Sequence, residues 1–182
     1  MNKTTEKLIV AGFGGQGVML LGQIISYTAT EASLNTVWIP SYGPETRGGT
    51  ANCSVIVSKE SINSPVVSEC DTLIALNEPS LKKFESKVRQ GGTIIVNAGL
   101  VKEYSYRDDV TVYPVDASKI ALEIGNLKTV NMVALGVYLG ATGLFTSDAI
   151  EKTFEKIFTG SKEKLIDINK QALKSGIEAA QA

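Results

Sequence analysis

Residues 7–33, KLIVAGFGGQGVMLLGQIISYTATEAS, constrain the fold more than any other stretch. A short apolar run, KLIVAGF, ends in glycines and reads as a buried strand. Val18, Leu21, Gly22, Ile25, Ala29 and Ala32 then recur at helical spacing, which predicts an amphipathic helix over 17–33. TVWIP (36–40) supplies a second strand. Strand, glycine turn, helix and strand make the βαβ unit from which parallel sheets are built, so the first forty residues are expected to start one.

The pattern continues along the chain. TANCSVIVS (50–58) reads as a strand with Val55 and Val57 on one face, and CDTLIAL (70–76) as a buried strand. NEPSLKKFESKVRQGG (77–92) predicts a helix. Pro79 suits its first turn, Leu81, Phe84 and Val88 share a face, and Gly91-Gly92 end it. TIIVNAG (93–99) and VTVYPVDA (110–117) are two further strands. The chain then turns helical, with ASKIALEIG (117–125), the almost wholly apolar NMVALGVYLGATG (131–143), SDAIEKTFEKIF (147–158) and SKEKLIDINKQALKSGIEAA (161–180). The apolar helix is expected to be buried or covered by a partner, with Ala134, Gly136, Gly140 and Ala141 permitting close helix contact. Ser147 reads as an N-cap ahead of Ile150, Phe154, Ile157 and Phe158 on one face. No linker, repeat or low-complexity tract divides the 182 residues. The expectation is one α/β, Rossmann-like domain over 1–182, with a mostly parallel sheet flanked by helices and a helical C-terminal part.

Composition removes several kinds of chemistry. The chain has no histidine, hence no Ser-His-Asp triad, no Cys-His pair and no imidazole metal ligand. Its two cysteines, Cys53 and Cys70, cannot build a four-cysteine zinc or iron–sulfur site and read as buried, reduced thiols of a cytoplasmic protein. Eighteen basic residues against nineteen acidic ones leave a formal net charge of −1. That balance supplies no general attraction to nucleic acid or to an anionic membrane. The N-terminal apolar run is too short for a signal peptide, and MVALGVYLGATGLF (132–145) is too short to span a bilayer.

GFGGQG (12–17) fits the GxGxxG pattern, with Gly12, Gly14 and Gly17 in register between a strand and a helix. Glycines let the backbone turn sharply and approach a ligand, and the N–H groups of the following helix favour an anion. The second strand ends in WIPSYG, without the acid that holds a dinucleotide ribose, and Val18 stands where a P-loop needs lysine. Three readings stay open: a phosphate or nucleotide group, a structural turn that packs helix on strand, and a protein interface.

SYGPETRGGTANCSV (41–55) places Glu45 and Arg47 between Gly43-Pro44 and Gly48-Gly49. In a doubly wound sheet the ligand crevice lies at the carboxyl ends of the strands, where this loop and the glycine turn are expected side by side. The Arg47 guanidinium is a rigid fork suited to carboxylate or phosphate, or to holding the loop by pairing with Glu45.

GFGGQGVMLLGQIIS, YGPETRGGTANCSV, INSPVV and CDTLIALN, with NMVALG (131–136) and DINKQALKSG (167–176), together resemble the gamma subunit of 2-oxoacid:ferredoxin oxidoreductases. The resemblance runs in order along almost the whole chain, and GGQG with PETRGG is far more specific than GxGxxG alone. It implies a complex in which thiamine diphosphate attacks a 2-oxoacid, carbon dioxide leaves, iron–sulfur clusters pass electrons to ferredoxin, and coenzyme A takes the acyl group. Thiamine diphosphate and clusters belong to other subunits in that family, so this chain is expected to bind no cofactor tightly and not to be catalytic alone. The implied partners are alpha, beta and ferredoxin-like delta subunits, with ferredoxin reached through the complex and a homodimer possible for the isolated chain. The binding residues carried over are Gly12, Gly14, Gly15, Gln16, Gly17, Tyr42, Glu45, Arg47 and Asn131. The C-terminal NKQALKSG leans towards the 2-oxoglutarate branch, with pyruvate, branched-chain and indolepyruvate members open. A free-standing Rossmann-type nucleotide binder is the alternative.

Overall fold

A computed structural model of the protein describes residues 4–42, 50–102 and 104–181, with the side chain of Tyr42 excepted. Six strands form one sheet in the order β2-β3-β1-β4-β5-β6. These are β1 (Thr5–Phe13), β2 (Asn35–Tyr42), β3 (Thr50–Ser58), β4 (Cys70–Ala75), β5 (Val88–Asn97) and β6 (Thr111–Val115). The pairs β1–β4, β4–β5 and β5–β6 are parallel, whereas β1–β3 and β2–β3 are antiparallel. The first helix, α1 (Val18–Glu31), forms where the apolar spacing predicts.

The sheet departs from expectation at its start. β1 and β2 point the same way but do not pair, because β3 lies between them with Phe13 opposite Thr50 and Tyr42 opposite Ala51. β2 and β3, consecutive in the chain, form an antiparallel pair, and β3 is the strand that meets β1. The backbone N–H and C=O groups of β3 point to both sides in the sheet plane and so serve two ladders, while its alternating side chains fill both faces. Cys53, Val55 and Val57 enter the same core cluster as Leu8 and Val10, while Ile56 joins Ile9 on the opposite face.

The two faces are covered unequally. One carries α1, α3 (Ala117–Glu123), α4 (Val130–Thr142), α5 (Ser147–Ile157) and α6 (Ile166–Ala179). The other carries α2 (Glu78–Phe84), through Leu81 and Phe84, with Val67 and Val101 from the connections. The predicted helix over 77–92 stops early. After α2 the chain makes a 3-10 turn at Glu85–Lys87, and Val88 opens β5. Gly91 and Gly92 do not end a helix but shape a bulge, in which Asp71 on β4 is opposed by residues 89–92 of β5. Gly91 has φ 71°, and a Cβ on Gly92 would stand 2.8 Å from the Asp71 carbonyl oxygen. Two helix starts also shift. Thr146, not Ser147, caps α5 through the Ala149 N–H, and residues 160–165 run as a 3-10 segment before α6.

α4 is buried within the chain, from Val130 to Leu139. Its cover is α6, and small residues set the spacing. A Cβ added to Gly136 would meet the Leu173 carbonyl oxygen at 2.1 Å, and one added to Gly176 would meet the Val133 carbonyl oxygen at 2.1 Å. A Cβ added to Gly140 would meet the Ala180 Cβ at 2.7 Å and the Ile177 carbonyl oxygen at 3.1 Å. No described helix is long and apolar enough to cross a membrane.

Replacing Gly136 by alanine forces the α4 and α6 backbones apart. The expected cost is about 2–4 kcal/mol, a fall of roughly 5–15 °C in Tm. Gly160→Ala, in open space at φ 60°, should cost only about 1 kcal/mol. Equal melting curves for Gly136→Ala and the wild type would contradict this packing.

Candidate functional site at the carboxyl edge of the sheet

β1, β4, β5 and β6 all release their chains at one edge, and α1, α2, α3 and α4 begin there. Strand ends leave backbone groups without ladder partners, and helix starts leave free N–H groups. α2 is capped by Asn77, whose side-chain oxygen accepts from Ser80 N at 2.9 Å. α3 is capped by Asp116, which accepts from Lys119 N at 2.9 Å. α1 has neither a side-chain cap nor an acid in its first turn. No cap side chain or first-turn acid therefore complements its N-terminal N–H groups.

The glycine turn divides into a buried part and an open part. Gly12 is buried, and a Cβ there would meet Gln16 Oε1 at 2.8 Å and Val18 Cγ2 at 2.9 Å. Gly14 and Gly15 are exposed, and Gly15 has φ 94° with open space around its Cβ position. Gly17 has φ 74°, and a Cβ would stand 2.2 Å from Asn131 Nδ2. Asn131 itself is 3% exposed and donates to the Gly17 carbonyl at 3.1 Å. It thus pins the start of α1 to the start of α4.

Gln16 points inward. Its Oε1 accepts from Phe13 N at 2.6 Å and from Asn77 Nδ2 at 2.9 Å, and its Nε2 donates to the Leu76 carbonyl at 3.4 Å. The backbone of Gly14 and Gly15 is what the turn offers outward. Tyr42 ends β2 and Thr50 begins β3 at this same edge, with Thr50 beside Phe13. The described residues that flank 43–49, Tyr42 and Thr50, therefore lie next to the glycine turn. Glu45, Arg47 and the side chain of Tyr42 lie outside the described residues.

Two participants are not among the residues the sequence singles out. Asn77 and Asn97 are each 2% exposed. Asn97 Nδ2 donates to Ser118 Oγ at 2.9 Å and to the Leu76 carbonyl at 3.5 Å, while its Oδ1 accepts from Ser118 N at 3.2 Å. The signal was available, since two buried strands, LIALN and TIIVN, both run into an asparagine.

Nucleophilic chemistry is absent from the described thiols. Burial pushes the Cys53 thiol up to about 12. Burial does the same to Cys70, also to about 12, with the charges of Asp71 and Glu6 adding to it. Among the described residues no group of three or more Asp, Glu or Cys side chains is placed to hold a metal ion.

These thiols carry a stability signature. Their folded pKa values lie above the unfolded value of about 9. The stability they contribute is full below pH 9 and is lost as pH rises towards 12. The native chain should resist an aromatic disulfide reagent at pH 8 and react at both cysteines only in denaturant. Rapid native labelling would contradict the burial. In the turn, Gly17→Ala and Asn131→Ala should each destabilise, and the double variant should cost less than their sum, because truncating Asn131 relieves the clash but not the strain of positive φ. Strict additivity by urea denaturation would contradict the contact.

The family model described as "Pyruvate ferredoxin/flavodoxin oxidoreductase" matches residues 7–179. The ketoisovalerate oxidoreductase subunit VorA of Methanothermobacter marburgensis is 40% identical over 177 residues, which cover 94% of this chain and 36% of that protein. The chain thus spans little more than a third of this relative's length. The 2-oxoglutarate synthase subunit KorC of Methanocaldococcus jannaschii is 32% identical over 183 residues, covering 98% of this chain and 96% of that one. Among solved structures, the keto/oxoacid ferredoxin oxidoreductase gamma subunit of Geobacter sulfurreducens superposes with a TM-score of 0.82 at 28% identity, over 97% of this chain and 98% of that one.

Proposed function

Because the chain belongs to the pyruvate ferredoxin/flavodoxin oxidoreductase family, we propose that it serves as the gamma-type subunit of a 2-oxoacid:ferredoxin oxidoreductase. The complex decarboxylates a 2-oxoacid oxidatively, forms its acyl-coenzyme A and passes the electrons to ferredoxin. In this reading alpha, beta and ferredoxin-like delta chains hold the thiamine diphosphate and the clusters, and the present chain works in the cytoplasm as part of that assembly. Its contribution is the carboxyl edge of the sheet. The observation that carries this is the outward backbone of Gly14-Gly15 in front of an uncapped α1, beside the roots of the 43–49 loop.

That edge meets the passage used by coenzyme A. The N–H groups of the turn and of α1 face an anionic group such as a phosphate, and Arg47 adds a fixed positive charge. Glu45 orients Arg47, and Tyr42 is a further candidate for the same group. Gly12, Gln16, Gly17 and Asn131 hold the turn in place from behind. The proposed substrate is 2-oxoglutarate, supported by the KorC relative that matches from end to end. Ketoisovalerate is the second reading, favoured by the higher identity to VorA.

An anaerobic pull-down of the tagged chain from its host, assayed for coenzyme A-dependent dye reduction with 2-oxoglutarate, ketoisovalerate, pyruvate and indolepyruvate, tests the reading. Thiamine- and cluster-bearing chains should copurify with activity. Arg47→Ala should weaken apparent coenzyme A affinity roughly tenfold or more, as expected for losing a charge-assisted hydrogen bond. If assembly and coenzyme A affinity are both unchanged in that variant, the role given to Arg47 is wrong.

A further inference from the structure

We propose that Asn77 is a positioning residue that fixes the glycine turn through Gln16, a role separate from its capping of α2. The carboxamide orientations establish the chain of contacts, because a backbone group fixes each one. Phe13 N can only donate, so the Gln16 atom facing it at 2.6 Å is the oxygen. That oxygen also faces Asn77 at 2.9 Å, so the Asn77 atom there is the nitrogen. The other Asn77 atom must then be the oxygen, and it accepts from Ser80 N at 2.9 Å. Two independent backbone donors thus agree on one arrangement of both side chains.

The comparison with α3 separates the two roles. Capping requires only an acceptor, and at α3 the residue is Asp116, which accepts from Lys119 N. At α2 the residue is Asn77, and its second atom donates to the turn. Asn77 is 2% exposed, so water does not substitute for that donor. Without it, Gln16 Oε1 keeps Phe13 N alone, or the carboxamide rotates and leaves Phe13 N facing an amino group. Gln16 Nε2 reaches the Leu76 carbonyl, which also receives Asn97 Nδ2, so Asn97 braces the same turn from the β5 side. The consequence for ligand binding rests on the reading that Gly14-Gly15 face coenzyme A.

Asn77→Asp is the discriminating variant. It keeps the cap acceptor and replaces the donor by a carboxylate oxygen facing Gln16 Oε1. In the full chain, amide exchange at Phe13 should speed about tenfold or more while α2 amides stay within about twofold. In the assembled oxidoreductase, KM for coenzyme A should rise about fivefold with kcat nearly unchanged. Asn77→Ser, which also caps and adds no charge, should behave alike. Normal exchange at Phe13 in either variant overturns the proposal, whatever happens to coenzyme A. Faster exchange with an unchanged KM upholds Asn77 as the holder of the turn and overturns the coenzyme A reading instead.

Discussion

Where parallel strands end beneath packed helices, their backbone groups lose the ladder and must find partners inside the protein. Leu76 is where this chain meets that demand for three strands at once. Its N–H donates to the Ala11 carbonyl at 2.9 Å, which carries the β1–β4 pairing one residue past β4. Its carbonyl receives Gln16 Nε2 from the turn after β1 and Asn97 Nδ2 from the end of β5. Gly12 must be glycine here because a Cβ would press on Gln16, Val18 and Leu76 together. The edge is a polar joint, and the turn, α2 and α3 take their positions from it.

Much of this was legible in the residues. The strand–turn–helix start, the glycine register and the all-apolar α4 follow from periodicities that need no tertiary knowledge. The small residues of α4 predict close helix contact, and Gly136 and Gly140 make it with α6. Strand order was not legible, because β3 looks like any buried strand until its antiparallel pairing with both β1 and β2 is seen. Val88 was assigned to a helix because it continues the Leu81–Phe84 spacing, yet the same residue pairs with Cys70. There the glycines that usually stop a helix instead admit a bulge beside Asp71. At the site, the glycines and Asn131 could be named from the sequence. Asn77 and Asn97 show in the sequence only as the asparagines that follow two buried strands, and the reach of a buried carboxamide across three strands appears only in space.

The site's organisation fits a chain that works beside others. Its described thiols are buried and protonated at neutral pH. What it presents at the carboxyl edge is backbone: two exposed glycines, an uncapped helix and the roots of a loop bearing one acid and one base. In the proposed function such a surface positions an anion for the assembled complex. The rigidity behind it, from Gln16, Asn77 and Asn131, keeps the backbone in one place for an incoming group.

The proposed function requires this edge to be covered in the assembly. Because both native cysteines are buried, one thiol introduced at the exposed end of β2 by Ser41→Cys reports alone. Its labelling rate would be compared between the isolated chain and the complex purified from the host. Strong protection in the complex, increased by coenzyme A, is the predicted result. Equal labelling in both would mean that the carboxyl edge faces neither partner nor ligand, and would contradict the account.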